Sequence, residues 1–144
     1  MRRLMQIAMI AISLGGCGHI RACETYIDAV MVGDRNCVLQ LIAQNRPLEE
    51  ANHKGETALI LAAITDQFRI AEDLLAAGAD PFAVSQFGWT AGYAAQTSAL
   101  MRGPEFDAKA RFEFMLSERG YPVPGPDKAD IKRLVADGKW PPAD

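Results

Sequence analysis

The 144-residue sequence predicts an all-α solenoid of about three helix–turn–helix repeats, closed by a short C-terminal helix. Three observations lead there. Gly55-Glu56-Thr57-Ala58 returns 33 residues later as Gly88-Trp89-Thr90-Ala91. At the same spacing Ala62-Ala63 lies over Ala95-Gln96, and one period back Leu74-Leu75 falls on Leu41-Ile42. A fixed period of this length marks units that bury their apolar faces only by stacking on one another. The chain is 49% hydrophobic, with 15 basic against 18 acidic side chains, which is enough apolar material for one core. That composition excludes a disordered acidic tail, a collagen-like rod and a multi-domain machine. A pI near 5.4 excludes a broad basic footprint for nucleic acid.

The first element is an address. Arg2 and Arg3 precede an uncharged stretch, Leu4 to Leu14, in which only Gln6 and Ser13 are polar. A basic start followed by a short apolar run is the pattern of a secretory signal. Leu14-Gly15-Gly16-Cys17 resembles the bacterial lipobox: an aliphatic residue, two small residues, then cysteine. The resemblance implies a signal peptide at 1–16, acylation of Cys17 and a lipidated tether over 17–23. Gly18 stands where an aspartate usually means inner-membrane retention, so the resemblance implies an outer-membrane anchor facing the periplasm. An ordinary signal cut near Ala22 and a buried N-terminal helix are the other readings. A chain beginning at Cys17 would hold 13 basic and 18 acidic side chains, so the acyl group rather than charge would hold it to a membrane.

The repeats are expected over 24–122. In the second, Gly55 allows the tight turn and Thr57 can bond backbone groups at the helix start. Ala58, Ala62 and Ala63 keep the first helix thin. Ile70, Leu74 and Leu75 form the apolar stripe of the second helix, and Gly78 suits a left-handed stop before Asp80-Pro81. In the first repeat the glycine–threonine turn is missing, with Ala22 and Glu24 in its place, and Asn45 stands at the stop. In the third, Gly92 replaces a usual leucine. Leu116 and Gly120 match Leu74 and Gly78 at an offset of 42, so nine residues are inserted around Met101 to Phe106, with Arg102-Gly103-Pro104 as a loop signal. Asp73 occupies a position where an aliphatic residue is common, at the edge of the stripe.

The cap and tail are expected over 123–144. Pro122, Pro124, Gly125 and Pro126 forbid a continuous helix. Asp127 to Asp137 is then a short amphipathic helix with Ile131, Leu134 and Val135 on one side, stopped by Gly138.

Gly55 through Pro81 resembles the ankyrin consensus over almost its whole length, between two degenerate copies. Ankyrin repeats meet protein partners through their fingertips and the exposed face of each first helix. Carried onto this chain, the fingertips are His53, Lys54, Glu56, Gln86, Phe87 and Trp89, and the first-helix positions are Ile64, Thr65, Thr97 and Ser98. Phe87 and Trp89 flank Gly88 in a turn where large aromatics have little core to enter, which suggests a contact site. The alternative is that one of them folds onto Phe82 or the insertion near Met101.

No chemistry emerges beside this. His19 and His53 have no second ligand at zinc spacing, and no nucleophile elbow, P-loop or dinucleotide glycine pattern occurs. The expectation is a non-enzymatic protein with no cofactor, metal, nucleic acid or small-molecule substrate. Its partners would be another protein and, through Cys17, a membrane. The chain resembles small exported bacterial ankyrin proteins that act as immunity proteins against secreted toxins, often lipase effectors; others are linked to peroxide defence. A stress-protective or structural protein without a dedicated toxin partner is the alternative. Cys23 and Cys37 form an even pair. Cys23 precedes one helix and Cys37 begins the next. Antiparallel packing of nine-residue helices would separate those starts by about 13 Å, too far for a disulfide. Cys37 also aligns with Ile70, so a buried thiol is expected unless residues 17 to 26 fold back.

Overall fold

The computed structural model describes residues 23–143. The readings on the signal peptide, on Cys17 and on the tether up to Ala22 lie outside the described residues. Within them are seven helices and no strand: α1 (Tyr26–Val32), α2 (Arg35–Ala43), α3 (Ala58–Ile64), α4 (Phe68–Ala76), α5 (Ala91–Thr97), α6 (Pro104–Glu118) and α7 (Lys128–Ala136). The pairs α1/α2, α3/α4 and α5/α6 are the three repeats. First helices pack in one row (α1 on α3, α3 on α5), and second helices in another (α2 on α4, α4 on α6).

Each first helix starts by one device. Thr25, Thr57 and Thr90 are N-caps whose hydroxyls accept from the backbone N–H of Asp28 (3.0 Å), Ile60 (3.4 Å) and Tyr93 (3.1 Å). The first repeat has therefore kept its threonine. It stands at 25 rather than 24 because two residues join α1 to α2 (33–34), where three join α3 to α4 (65–67). The second helices also end alike. Asn45 (φ 53°) and Gly78 (φ 107°) are both left-handed, and the N–H after each returns to a carbonyl of Leu41 or Leu74. Tyr121 repeats the bond to Leu116 after Gly120.

The core is continuous through the stack: Val30, Val38 and Leu41, then Leu59, Phe68, Leu74 and Leu75, then Phe112 and Leu116. The Phe68 and Phe112 rings meet at 5.9 Å between centroids where α4 and α6 pack. Asp73, at the edge of the stripe, receives Arg35 in a two-bond ion pair (2.6 and 3.1 Å). Glu72 does the same for Arg111 (2.7 and 3.1 Å), and Glu105 takes the backbone N–H and Nε of Arg69. Partial burial raises the Glu105 pKa, but the bonds and charge of Arg69 outweigh it and leave the carboxyl below its ordinary value. These pairs tie repeat to repeat along the row of second helices.

The structure corrects the disulfide expectation. Cys23 and Cys37 are bonded, with their Cα atoms 5.5 Å apart. The expected gap assumed a nine-residue first helix and a straight lead-in. Instead α1 has seven residues, about 10 Å of helix, and residues 23–25 precede it outside any helix. Such a lead spans up to about 10 Å, enough to fold back to the start of α2. Arg46 holds it there by donating to the Glu24 carbonyl at 3.3 Å. Cys37 is buried, as its alignment with Ile70 requires.

The insertion in repeat three is mostly helix. The connection 98–103 is three residues longer than 65–67, and α6, at 15 residues against nine for α4, takes the other six. Arg102 and Gly103 lie in the loop, as expected, while Pro104 sits in the first turn of the helix, where a missing N–H costs nothing, and Phe106 is helical.

Gly92 is explained by Tyr121. A Cβ built on Gly92 would lie 2.1 Å from the Tyr121 ring, so the usual leucine has been exchanged for an aromatic delivered from outside the repeat. The Tyr121 hydroxyl is 2.6 Å from the buried Thr90 hydroxyl. Burial pushes its pKa up, and the Thr90 bond opposes this only in part. Tyr121, Phe82 and Trp140 form an aromatic cluster with centroids 5.7–5.9 Å apart, and Trp140 Nε1 donates to the Phe82 carbonyl at 2.8 Å. The tail is thus pinned to the stack. The cap helix α7 begins after Asp127, as expected, but its buried anchor is Ile131. Leu134 is half-buried and Val135 is 48% exposed, which corrects the three-residue stripe: α7 meets the stack along a narrow line, with Gly88 against its first turn.

Candidate functional site

Two fingers project between the repeats, and each is built on one polar side chain. Asn52 Oδ1 accepts from the backbone N–H of Lys54 (2.9 Å) and Glu56 (3.0 Å). One period later Ser85 Oγ accepts from Phe87 (3.3 Å) and Trp89 (3.1 Å). The turns close at Gly55 and Gly88, both left-handed. The fingers are stitched together by Gln86, whose N–H donates to the Lys54 carbonyl and whose amide donates to the His53 carbonyl.

The predicted contact residues divide into three sets. His53, Lys54 and Phe87 stand exposed at the tips, with Phe87 54% exposed. Ile64, Trp89, Thr97 and Ser98 converge with Asp66, Ala94 and Ala99 around one groove of about 390 Å³ along the first helices of repeats two and three. The remaining three have other work. Glu56 is 8% exposed and its carboxylate accepts from Asn52 Nδ2 at 2.8 Å, which corrects its assignment: it braces the finger instead of meeting a partner. Thr65 is exposed, but its hydroxyl donates to the Leu61 carbonyl and it lies outside the groove lining. Gln86 is exposed while its amide serves the neighbouring finger.

Trp89 does not fold onto Phe82. It is half-buried, 5.2 Å from the Tyr93 ring, with the Lys128 ammonium 4.6 Å from its own ring centre. Phe82 is covered by Tyr121 and Trp140 instead. Trp89 is therefore a fixed wall of the groove. Asp66 was missed by sequence reasoning. Its signal was its place in the α3–α4 connection, a left-handed position (φ 57°) that aspartate tolerates among non-glycine residues. Among the described residues no three His, Cys, Asp or Glu side chains converge to hold a metal ion.

The ankyrin-repeat family model matches residues 54–86, from the first fingertip through α3 and α4 to the second finger. With the three helix pairs in register around that segment, the fold is an all-α ankyrin-repeat solenoid. Ankyrin repeats are protein-interaction modules, so the match supports a protein-binding role. A comparison with curated proteins returns no match.

Proposed function

We propose that this protein is an exported, lipid-anchored ankyrin module that binds another exported protein through the fingertips and groove of repeats two and three. Its role is that of an immunity protein that neutralises a secreted toxin of the lipase class. The observation that carries the binding surface is the groove itself. Four contact positions chosen from the repeat register, Ile64, Trp89, Thr97 and Ser98, line one concavity, and Phe87 stands exposed on the turn beside Trp89. Large aromatic side chains are enriched among the residues that dominate protein interfaces. Export is supported by the basic start, the apolar run and Leu14-Gly15-Gly16-Cys17. The Cys23–Cys37 disulfide supports it too, because such bonds persist in oxidising compartments.

The full chain, expressed in a bacterial host with its signal, should appear in the membrane fraction with an acylated Cys17 at its N-terminus by mass spectrometry. Co-expressed with an exported lipase-type toxin that it recognises, it should protect the host. Phe87→Ala combined with Thr97→Arg changes two exposed side chains, so the melt should stay near wild type while capture of the toxin falls at least tenfold. Undiminished capture by that variant would move the site to the cap or to α6. Absence of any captured partner would favour the stress-protective reading.

A further inference from the structure

The groove carries a charge that the protein itself leaves unanswered. The ion pairs of the described residues engage Asp73, Glu105, Glu72 and Asp130, and none reaches Asp66. Asp66 makes one backbone bond, from its N–H to the Ala63 carbonyl, and its carboxylate takes part in no hydrogen bond among the described residues. Trp89, Ile64, Ala94, Thr97 and Ser98 line the groove together with it. The Thr97 hydroxyl donates to the Tyr93 and Ala94 carbonyls, so its lone pairs remain free to accept. Ile64 ends α3 and Thr97 ends α5, so the groove opens where two helices present their partially negative ends.

We infer that this groove is an arginine pocket: it takes one arginine side chain of a protein partner, with the guanidinium on the Asp66 carboxylate and the aliphatic stem along Ile64, Ala94 and Trp89. The unpaired Asp66 carboxylate favours a cation. The flat, weakly hydrated guanidinium suits an aromatic wall beside a carboxylate better than the compact, strongly hydrated ammonium of lysine does. The Lys128 ammonium already lies 4.6 Å from the Trp89 ring centre, so the guanidinium is placed at Asp66 and only the aliphatic stem runs along the ring. The inference rests on the partner-binding reading above and adds to it the chemistry of the residue that anchors the partner.

The test uses the purified full-length chain at low ionic strength, where charge contacts are least screened. The probe is acetyl-Leu-Arg-Leu-amide, and its citrulline counterpart keeps the shape and removes the charge. The arginine peptide should shift the amide resonances of Ile64, Asp66, Thr97 and Ser98 and the indole resonance of Trp89 saturably. The citrulline peptide should bind at least tenfold more weakly. Asp66→Asn keeps a residue that tolerates the left-handed backbone, so its melt should match wild type while its affinity for the arginine peptide drops to the citrulline level. Equal binding of the two peptides, an unaffected Asp66→Asn variant, or no shifts at these residues would each overturn the pocket. Failure to capture any protein partner while the peptide titration succeeds would overturn the partner-binding role and leave the arginine chemistry standing.

Discussion

Gly92 and Tyr121 show how one small residue is explained only by its distant neighbour. Glycine in a helix interior normally costs about 0.5–1 kcal/mol relative to alanine, so Gly92→Ala would stabilise an isolated α5. Here the added methyl would enter the Tyr121 ring at 2.1 Å. That ring is buried between Phe82 and Trp140 and bonded to Thr90, so it has little room to yield. Overpacking of this kind costs about 1–3 kcal/mol. Gly92→Ala should therefore lower the denaturant midpoint, and a companion Tyr121→Ala variant should reverse the sign of the Gly92 effect. A stabilising Gly92→Ala in the wild-type background would show that the tyrosine does not occupy this site.

At the scale of elements, the first repeat depends on a covalent tie where the other two depend on packing. Among the described residues α1 and α2 pack on one neighbouring repeat, and the lead-in at 23–25 is held by the Cys23–Cys37 bond and the Arg46–Glu24 contact. Closing a loop of this length removes about 3 kcal/mol of unfolded-state freedom in the chain-entropy account. Cys23→Ser with Cys37→Ala should cost about that amount in denaturant unfolding. A reducing agent should bring the wild-type protein down to the same midpoint while leaving the double variant unmoved. Thiol titration of the unfolded wild-type chain should find these two cysteines unreactive before reduction.

Over the whole molecule, repeat two is the structural centre. α4 packs on α3, on α2 and on α6, and its leucines Leu74 and Leu75 are fully buried. The ion pairs from Arg35, Arg69 and Arg111 all end or begin on the same helix or its immediate neighbour. Their arginines are about half exposed, so they contribute little each and serve mainly to keep register. The core contact decides stability. Leu74→Ala should cost about 2–5 kcal/mol. Because each repeat is stabilised through its neighbours, the whole array should melt in one lowered transition. A melt that splits, with repeat one or repeat three retained, would show that the stack is not one cooperative unit.

The sequence by itself determined the period, the helix pairs, the left-handed stops at Asn45 and Gly78, and the buried stripe of the second helices. These follow from local spacing: a helix buries every third or fourth residue, and a turn needs a residue that tolerates positive φ. It also placed Ile64, Trp89, Thr97 and Ser98 on one surface, because register in a repeat translates directly into position. What it could not supply were relations between residues far apart in the chain. Thr25 looked lost because a one-residue shortening between α1 and α2 shifted the register. The Cys23–Cys37 bond looked too long because the path of the lead-in is not local information. Glu56 looked like a fingertip contact until Asn52 was seen to hold it inside. Gly92 has no reason until Tyr121, 29 residues later, lies against it. Only the tertiary structure decided these, because contact across repeats is a property of packing and the one-dimensional spacing of residues does not encode it.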